Sequence, residues 1–341
     1  MFKLSALLIY AVLLGFSACG GGGGSDDPDK PGDNPLLEIN GDTYTYTLPG
    51  GTEFNLMLTP DVATTKTFPT GTSDSGSANV PARFIMGETE VTYQLWKEVY
   101  DWATSTERGT EKYTFANQGR EGNDGTVGAS PTTAKQEPVT DINWRDTIVW
   151  CNALTEYYNA NNDDSETDLV CVYTYSGSII RDSRDSNATA CDGAEQKAGA
   201  KGFRLPGSME WEYSARYRGT EATNAVAGSD GTYYTKGNSA SGATADYNND
   251  SATSAVAVYD VSSTAVVKSK GSGENTLGLY DMSGNVWEWC FDWLPSYVGS
   301  YRVYRGGAYN STADYVCLGN VNYDFPCVED SSFGFRFCRS R

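Results

Sequence analysis

Residues 278–289 read G-L-Y-D-M-S-G-N-V-W-E-W. The Asp, Ser, Asn and two glycines of its first half suit a tight turn. In the second half Trp287 and Trp289 alternate with Glu288, which suits a strand or turn with both indoles packed on one side and the carboxylate on the other. Indoles bury more apolar area than any other side chain, so the two tryptophans are read as core rather than as a ligand platform. Asp281 suits the capping residue of a solvated turn.

Moving outward, residues 204–216 read R-L-P-G-S-M-E-W-E-Y-S-A-R. Gly207 suits an N-cap and Glu210 can reach back to its amide, which opens a helix. Two further helices have clearer signals. Thr92 caps a stretch in which Leu95, Val99 and Trp102 recur at helical spacing. Asn143 caps another, with Asp146 in its first turn and Ile148, Cys151 and Leu154 along one face. Strand patterns occur at residues 43–48 (T-Y-T-Y-T-L), 53–58 (E-F-N-L-M-L) and 82–86 (A-R-F-I-M). Between the second and third helices lies a polar insert holding Cys171 and Cys191, read as a surface loop or hairpin.

The 341-residue chain carries 44 acidic and 25 basic residues, a formal charge of -19, and no histidine. The charge disfavours nucleic acid and anionic lipid surfaces. The missing imidazole excludes Ser-His and Cys-His nucleophile pairs and histidine-built zinc sites. With 37 glycines and 23 tyrosines, the chain suits short elements joined by long loops.

Residues 1–18 read as a secretion signal: Lys3, an apolar run from Leu4 to Phe16, then small residues before Cys19. The closing F-S-A-C resembles a bacterial lipobox, which implies lipidation of Cys19 and membrane attachment through that lipid alone. Residues 19–35, rich in Gly, Asp and Pro, read as a tether. This resembles lipoproteins of the Bacteroides group carried to the cell surface, an outer-membrane location. Residues 36–341 read as one domain, with no internal repeat.

In order along the chain stand F-I-M-G-E-T-E-V-T-Y-Q-L-W, P-V-T-D-I-N-W-R-D, F-R-L-P-G-S-M-E-W-E-Y-S-A-R, G-L-Y-D-M-S-G-N-V-W-E-W, R-G-G-A-Y and G-F-R-F. This order resembles the formylglycine-generating enzyme, or sulfatase-modifying factor, family over roughly residues 50–340. The resemblance implies an α+β, C-type-lectin-like single domain with a small antiparallel core, two or three helices and much irregular loop. It also implies a structural calcium ion held by Asp281 and Glu288 carboxylates and Gly284 and Val286 carbonyls. Arg305, before Gly306 and Gly307, is similar to a family arginine that anchors loops.

The family's oxidase acts on a sulfatase cysteine with copper(I) held by two thiolates, at the fourth and ninth positions beyond the second glycine of R-G-G. Here those positions are Ser311 and Val316, so no copper is expected and no catalytic residue is assigned. Cys317 is one residue late and is read as buried or disulfide-bonded. The resemblance leaves Cys151–Cys338 and Cys171–Cys191 open as pairings.

Residues 309–333, Y-N-S-T-A-D-Y-V-C-L-G-N-V-N-Y-D-F-P-C-V-E-D-S-S-F, contain no Lys, Gln, Met or Trp. Tyr and Phe offer large contact area at low rotamer cost, while Asn, Ser and Asp offer adaptable hydrogen bonds, the mixture of a paratope. The segment resembles the variable, ligand-binding face of family members that are targets of diversity-generating retroelements. The expected ligand, a protein or glycan, meets Asn310, Ser311, Thr312, Asp314, Tyr315, Asn322, Tyr323, Asp324 and Phe325. Two alternatives stand beside this reading: the copper-dependent oxidase, and a structural subunit of a surface assembly.

Overall fold

The computed structural model describes residues 36–60, 67–80, 83–132, 136–162 and 168–341. The signal, Cys19 and the tether lie outside the described residues. The chain begins with a meander, β1 (Leu37–Asn40), β2 (Thr43–Thr47) and β3 (Glu53–Leu58). Alternation in β2 buries Tyr44 and Tyr46 and leaves its threonines half-buried. Next to β3 lies β4 (Phe84–Gly87), buried throughout.

Helix α1 (Tyr93–Ala103) starts where Thr92 accepts the Leu95 amide at 3.2 Å, and it buries Leu95 and Val99 while Trp102 stays half-buried. Helix α2 (Trp144–Ala160) opens with a full capping box between Asn143 and Asp146. It is buried on nearly every side, more than a one-faced pattern implies, because the insert folds back over it. The short strands Tyr173–Tyr175, Ser178–Ile179 and Glu195–Gln196 form a three-stranded sheet, and Asn152 donates to the Tyr173 carbonyl at 2.8 Å. Cys171 and Cys191 are therefore interior rather than surface residues.

Strand β5 (Phe203–Arg204) leads into α3 (Ser208–Arg216), where Glu210 accepts the Gly207 amide at 2.7 Å. Four strands form the smaller sheet: β6 (Trp287–Trp293), β7 (Arg302–Arg305), β8 (Asn322–Asp324) and β9 (Phe333–Gly334). Last comes β10 (Cys338–Ser340). The larger sheet runs β1-β2-β3-β4-β10-β5, all antiparallel, so the C-terminal strand sits inside the sheet that the first strands begin. The smaller sheet runs β8-β7-β6-β9, with β6 and β9 parallel.

Aromatic packing joins helices to the larger sheet. Trp96 of α1 stacks on Trp150 of α2 at 5.9 Å, and Trp150 meets Phe337 at 5.7 Å. The result is the expected α+β architecture, with its larger core between helices and sheet and the smaller sheet carrying the C-terminal loops. All seven described cysteines are free thiols, so neither Cys151–Cys338 nor Cys171–Cys191 is bonded. Among the described residues no helix is long and apolar enough to cross a membrane.

Candidate functional site: the C-terminal loop face

Strand β7 is wholly buried and pairs on one side with β8, whose other edge is open. The register sets Val303 opposite Tyr323, with Arg302 opposite Asp324 and Tyr304 opposite Asn322. Alternation then turns Tyr323 outward, while Asn322 and Asp324 stay half-buried. Tyr323 lies 5.2 Å from Tyr301 and stacks on Tyr297 at 6.5 Å, and Tyr301 meets Phe325 at 4.6 Å. Tyr315 stands edge-on to Trp287 at 6.3 Å.

Of these rings Tyr297, Tyr315, Tyr323 and Phe325 each expose between 42 and 52% of their area, an apolar patch with Val298 and Val321 beside it. Asn310, Thr312 and Asp314 are exposed and Ser311 is half-buried. The structure thus groups Tyr323 and Phe325 around Tyr301 and sets Tyr315 against Trp287. It adds Tyr297, Val298 and Tyr301, which lie ahead of R-G-G. Their sequence signal is the Tyr-Val-Gly-Ser-Tyr run before β7, which lies outside residues 309–333.

The backbone beneath these side chains is fixed by main-chain bonds. Arg305 is fully buried and donates to the Leu318 carbonyl at 3.3 Å and the Asn320 carbonyl at 2.9 Å. Its other donors reach Ser208 at 2.9 Å and Glu212 at 2.8 Å, so it anchors the loops as expected. The Asp260 amide donates to the Ser311 carbonyl, the Val261 amide to the Tyr309 carbonyl and the Ser283 hydroxyl to the Val316 carbonyl. Gly306 and Gly307 turn the chain at φ of 96° and 79°, and a Cβ on Gly307 would stand 2.6 Å from Val316 Cγ1.

At the two positions where the oxidase keeps thiolates, the geometry offers none. Ser311 accepts the Ala308 amide at 3.0 Å, and Val316 is wholly buried beside Ala240, Ala243 and Ala257. Cys317 is buried, and burial, followed by the nearby Asp314 and Asp246 carboxylates, pushes its thiol up to about 12. It stays protonated at neutral pH, a support for the face rather than a nucleophile. Trp287 and Trp289 are core, as expected.

Both carboxylates expected to hold calcium have protein partners. Glu288 has both oxygens engaged: Arg336 donates to each at 2.7 Å and the Trp211 indole adds a bond at 2.6 Å. Asp281, at φ 55°, accepts the Lys268 amide at 2.7 Å. The turn around Gly284 and Val286 is tied instead by Glu90, which accepts the Val286 amide at 3.0 Å and the Asn285 side-chain amide at 2.7 Å. Among the described residues no group of three or more His, Cys, Asp or Glu could hold a metal ion. A calcium ion at this turn would compete with Arg336 for the Glu288 carboxylate. Glu90, partner of Asn285 and Val286, and Arg336, partner of Glu288, stand in the sequence only as letters of E-T-E and G-F-R-F, which do not say which residues they meet.

Comparison with known proteins identifies the family. The sulfatase-modifying factor enzyme 1-like domain profile matches residues 48–341. The chain is 25% identical over 271 residues to "Chaperone protein LppX" of Paenibacillus barcinonensis, covering 72% of this chain and 77% of that one. It is 38% identical over 86 residues to the formylglycine-generating enzyme of Streptomyces coelicolor, but spans only 27% of its length. Among solved structures, Treponema denticola variable protein 1 superposes with a TM-score of 0.61 at 28% identity, covering 87% of this chain and 98% of that one.

Proposed function

Since the chain belongs to the sulfatase-modifying factor enzyme 1-like family, with its C-type-lectin-like fold, we propose that it is a non-catalytic member that binds a ligand through the C-terminal loop face. The supporting observation is a division of labour in residues 309–325. Neighbouring groups hold the carbonyls of Tyr309, Ser311, Val316, Leu318 and Asn320, while Asn310, Thr312, Asp314, Tyr315, Tyr323 and Phe325 point outward. Ser311, Asn320, Asn322 and Asp324 add side-chain bonds of their own to this backbone, but its anchors come largely from outside the segment, which is what a face with exchangeable exposed side chains requires. The similarity to a protein whose name calls it variable supports diversification of residues 309–333 by a retroelement.

The ligand is a protein or glycan with both apolar and cationic surface. Between Leu294 and Phe335 the cationic side chains, Arg302 and Arg305, are buried, while Asp314, Glu329 and Asp330 are exposed. Such a face favours an opposite charge at its rim and rings or aliphatic groups at its centre. The lipobox-like F-S-A-C and the tether support attachment to the outer membrane by a lipid on Cys19, with residues 36–341 displayed as one domain.

The test is a panel of immobilised bacterial surface proteins and glycans probed with the wild type and with a Y315A/Y323A/F325A variant. The proposal expects a hit that the variant loses at least tenfold with its melting temperature unchanged. Equal binding by both proteins overturns it.

A further inference from the structure

Outside the loop face, one cavity differs in charge from the rest of this acidic chain. A pocket of about 300 Å³ is lined by Val172, the residues 196–201, Arg204, Ser340 and Arg341. Its lining holds four cationic residues, Lys197, Lys201, Arg204 and Arg341, and no Asp or Glu. Glu210 offsets Arg204 through bonds of 2.7 and 2.8 Å. Neither lysine ammonium has a carboxylate partner among the described residues.

The lysines are presented by a rigid turn. The Ala200 amide donates to the Lys197 carbonyl at 3.1 Å, and Gly199 takes φ 73°. Both ends are pinned to the neighbouring segment, Lys197 to the Val172 carbonyl at 2.8 Å and Gly202 to the Val170 carbonyl at 3.0 Å. Arg339 donates to the Lys201 carbonyl at 2.8 Å and adds a buried positive charge behind it. Ala198 and Gly199, between the two lysines in sequence, also line the pocket, and their amides carry no hydrogen bond within the described residues.

We infer that this pocket binds an oxyanion of the phosphate or sulfate class, with the Lys197 and Lys201 ammoniums as counter-charges and the Ala198 and Gly199 amides as donors. Main-chain amides flanked by cations form an anion-binding concavity. The pocket's small size favours a single phosphoryl group over an extended polyanion. A chain of net charge -19 repels anions at long range, so capture here depends on these local donors and weakens with salt. The phosphoryl group can come from a free phosphomonoester or from the headgroup of an anionic lipid.

The experiment uses the full chain carrying Cys19→Ala, alone and with K197A/K201A, each checked by thermal melting. One arm titrates inorganic phosphate by isothermal calorimetry at low salt. The other sediments the protein with phosphatidylcholine vesicles with and without phosphatidylglycerol. Saturable phosphate binding that falls at least tenfold in K197A/K201A supports a free oxyanion ligand. A lysine-dependent gain on anionic over neutral vesicles supports a lipid headgroup. If neither arm depends on the two lysines while the variant melts like its parent, the inference is overturned.

Discussion

Arg336 donates to Glu288 through two bonds of 2.7 Å, Nε to Oε2 and Nη2 to Oε1, with both side chains buried. The same guanidinium reaches the Gly87 carbonyl at 2.9 Å and the Tyr280 carbonyl at 2.8 Å. One ion pair therefore ties β4, the 278–289 turn and the last strands together. Removing one partner of a buried pair leaves an uncompensated charge, which costs about 3–5 kcal/mol. Arg336→Met should lower stability by that amount in urea denaturation, and Glu288→Gln should do so comparably. A loss under about 1 kcal/mol in both would show that the pair does not organise this turn.

With Glu288 so engaged, adding calcium should leave the melting temperature unchanged, because a bound ion would have to displace Arg336. A rise in melting temperature with saturable calcium dependence would mean that the turn rearranges around the ion.

Glu90 predicts a pH effect. Burial first, and then the Asp281 and Glu288 carboxylates, hold its folded pKa well above the ordinary carboxylate range. Between the unfolded and folded values the folded chain binds the extra proton. Glu90's contribution is therefore present at acidic pH and is lost as pH rises through its folded pKa. Glu90→Gln should flatten that decline in denaturation midpoints compared across pH 5–8. An unchanged slope would mean that Glu90 does not carry it.

The loop face should tolerate change in its side chains but not in its scaffold. Asn310→Ala, Thr312→Ala and Asp314→Ala should each shift stability by no more than about 0.5 kcal/mol. Gly307→Ala meets both a positive φ and Val316, and should cost about 1–3 kcal/mol or more. Similar losses across all four would contradict a held backbone with exchangeable side chains.

The legible features were local ones. Thr92, Asn143 and Gly207 announced three helices because a cap acts within one turn, and Tyr44 and Tyr46 announced β2 because alternation acts within one strand. Partnerships across long separations were hidden: Glu90 meets Val286 across 196 residues and Arg305 meets Glu212 across 93. The motifs carried those letters without saying which ones touch. The edge strand β8 has no sequence signal because Asn-Tyr-Asp has little apolar pattern, and Tyr297 and Tyr301 join the face only through the fold of β7 and β8. Cys171 and Cys191 looked external because their insert is polar, yet its small sheet covers α2.

The central claim is that the segment after R-G-G grips a ligand and performs no copper chemistry. Titrating the purified protein with copper(I) against a competing chromophoric chelator tests it most directly. With Ser311 and Val316 at the two positions and Cys317 held as a buried thiol, the account predicts no stoichiometric uptake. One equivalent of tightly held copper(I), lost on Cys317→Ala, would contradict it.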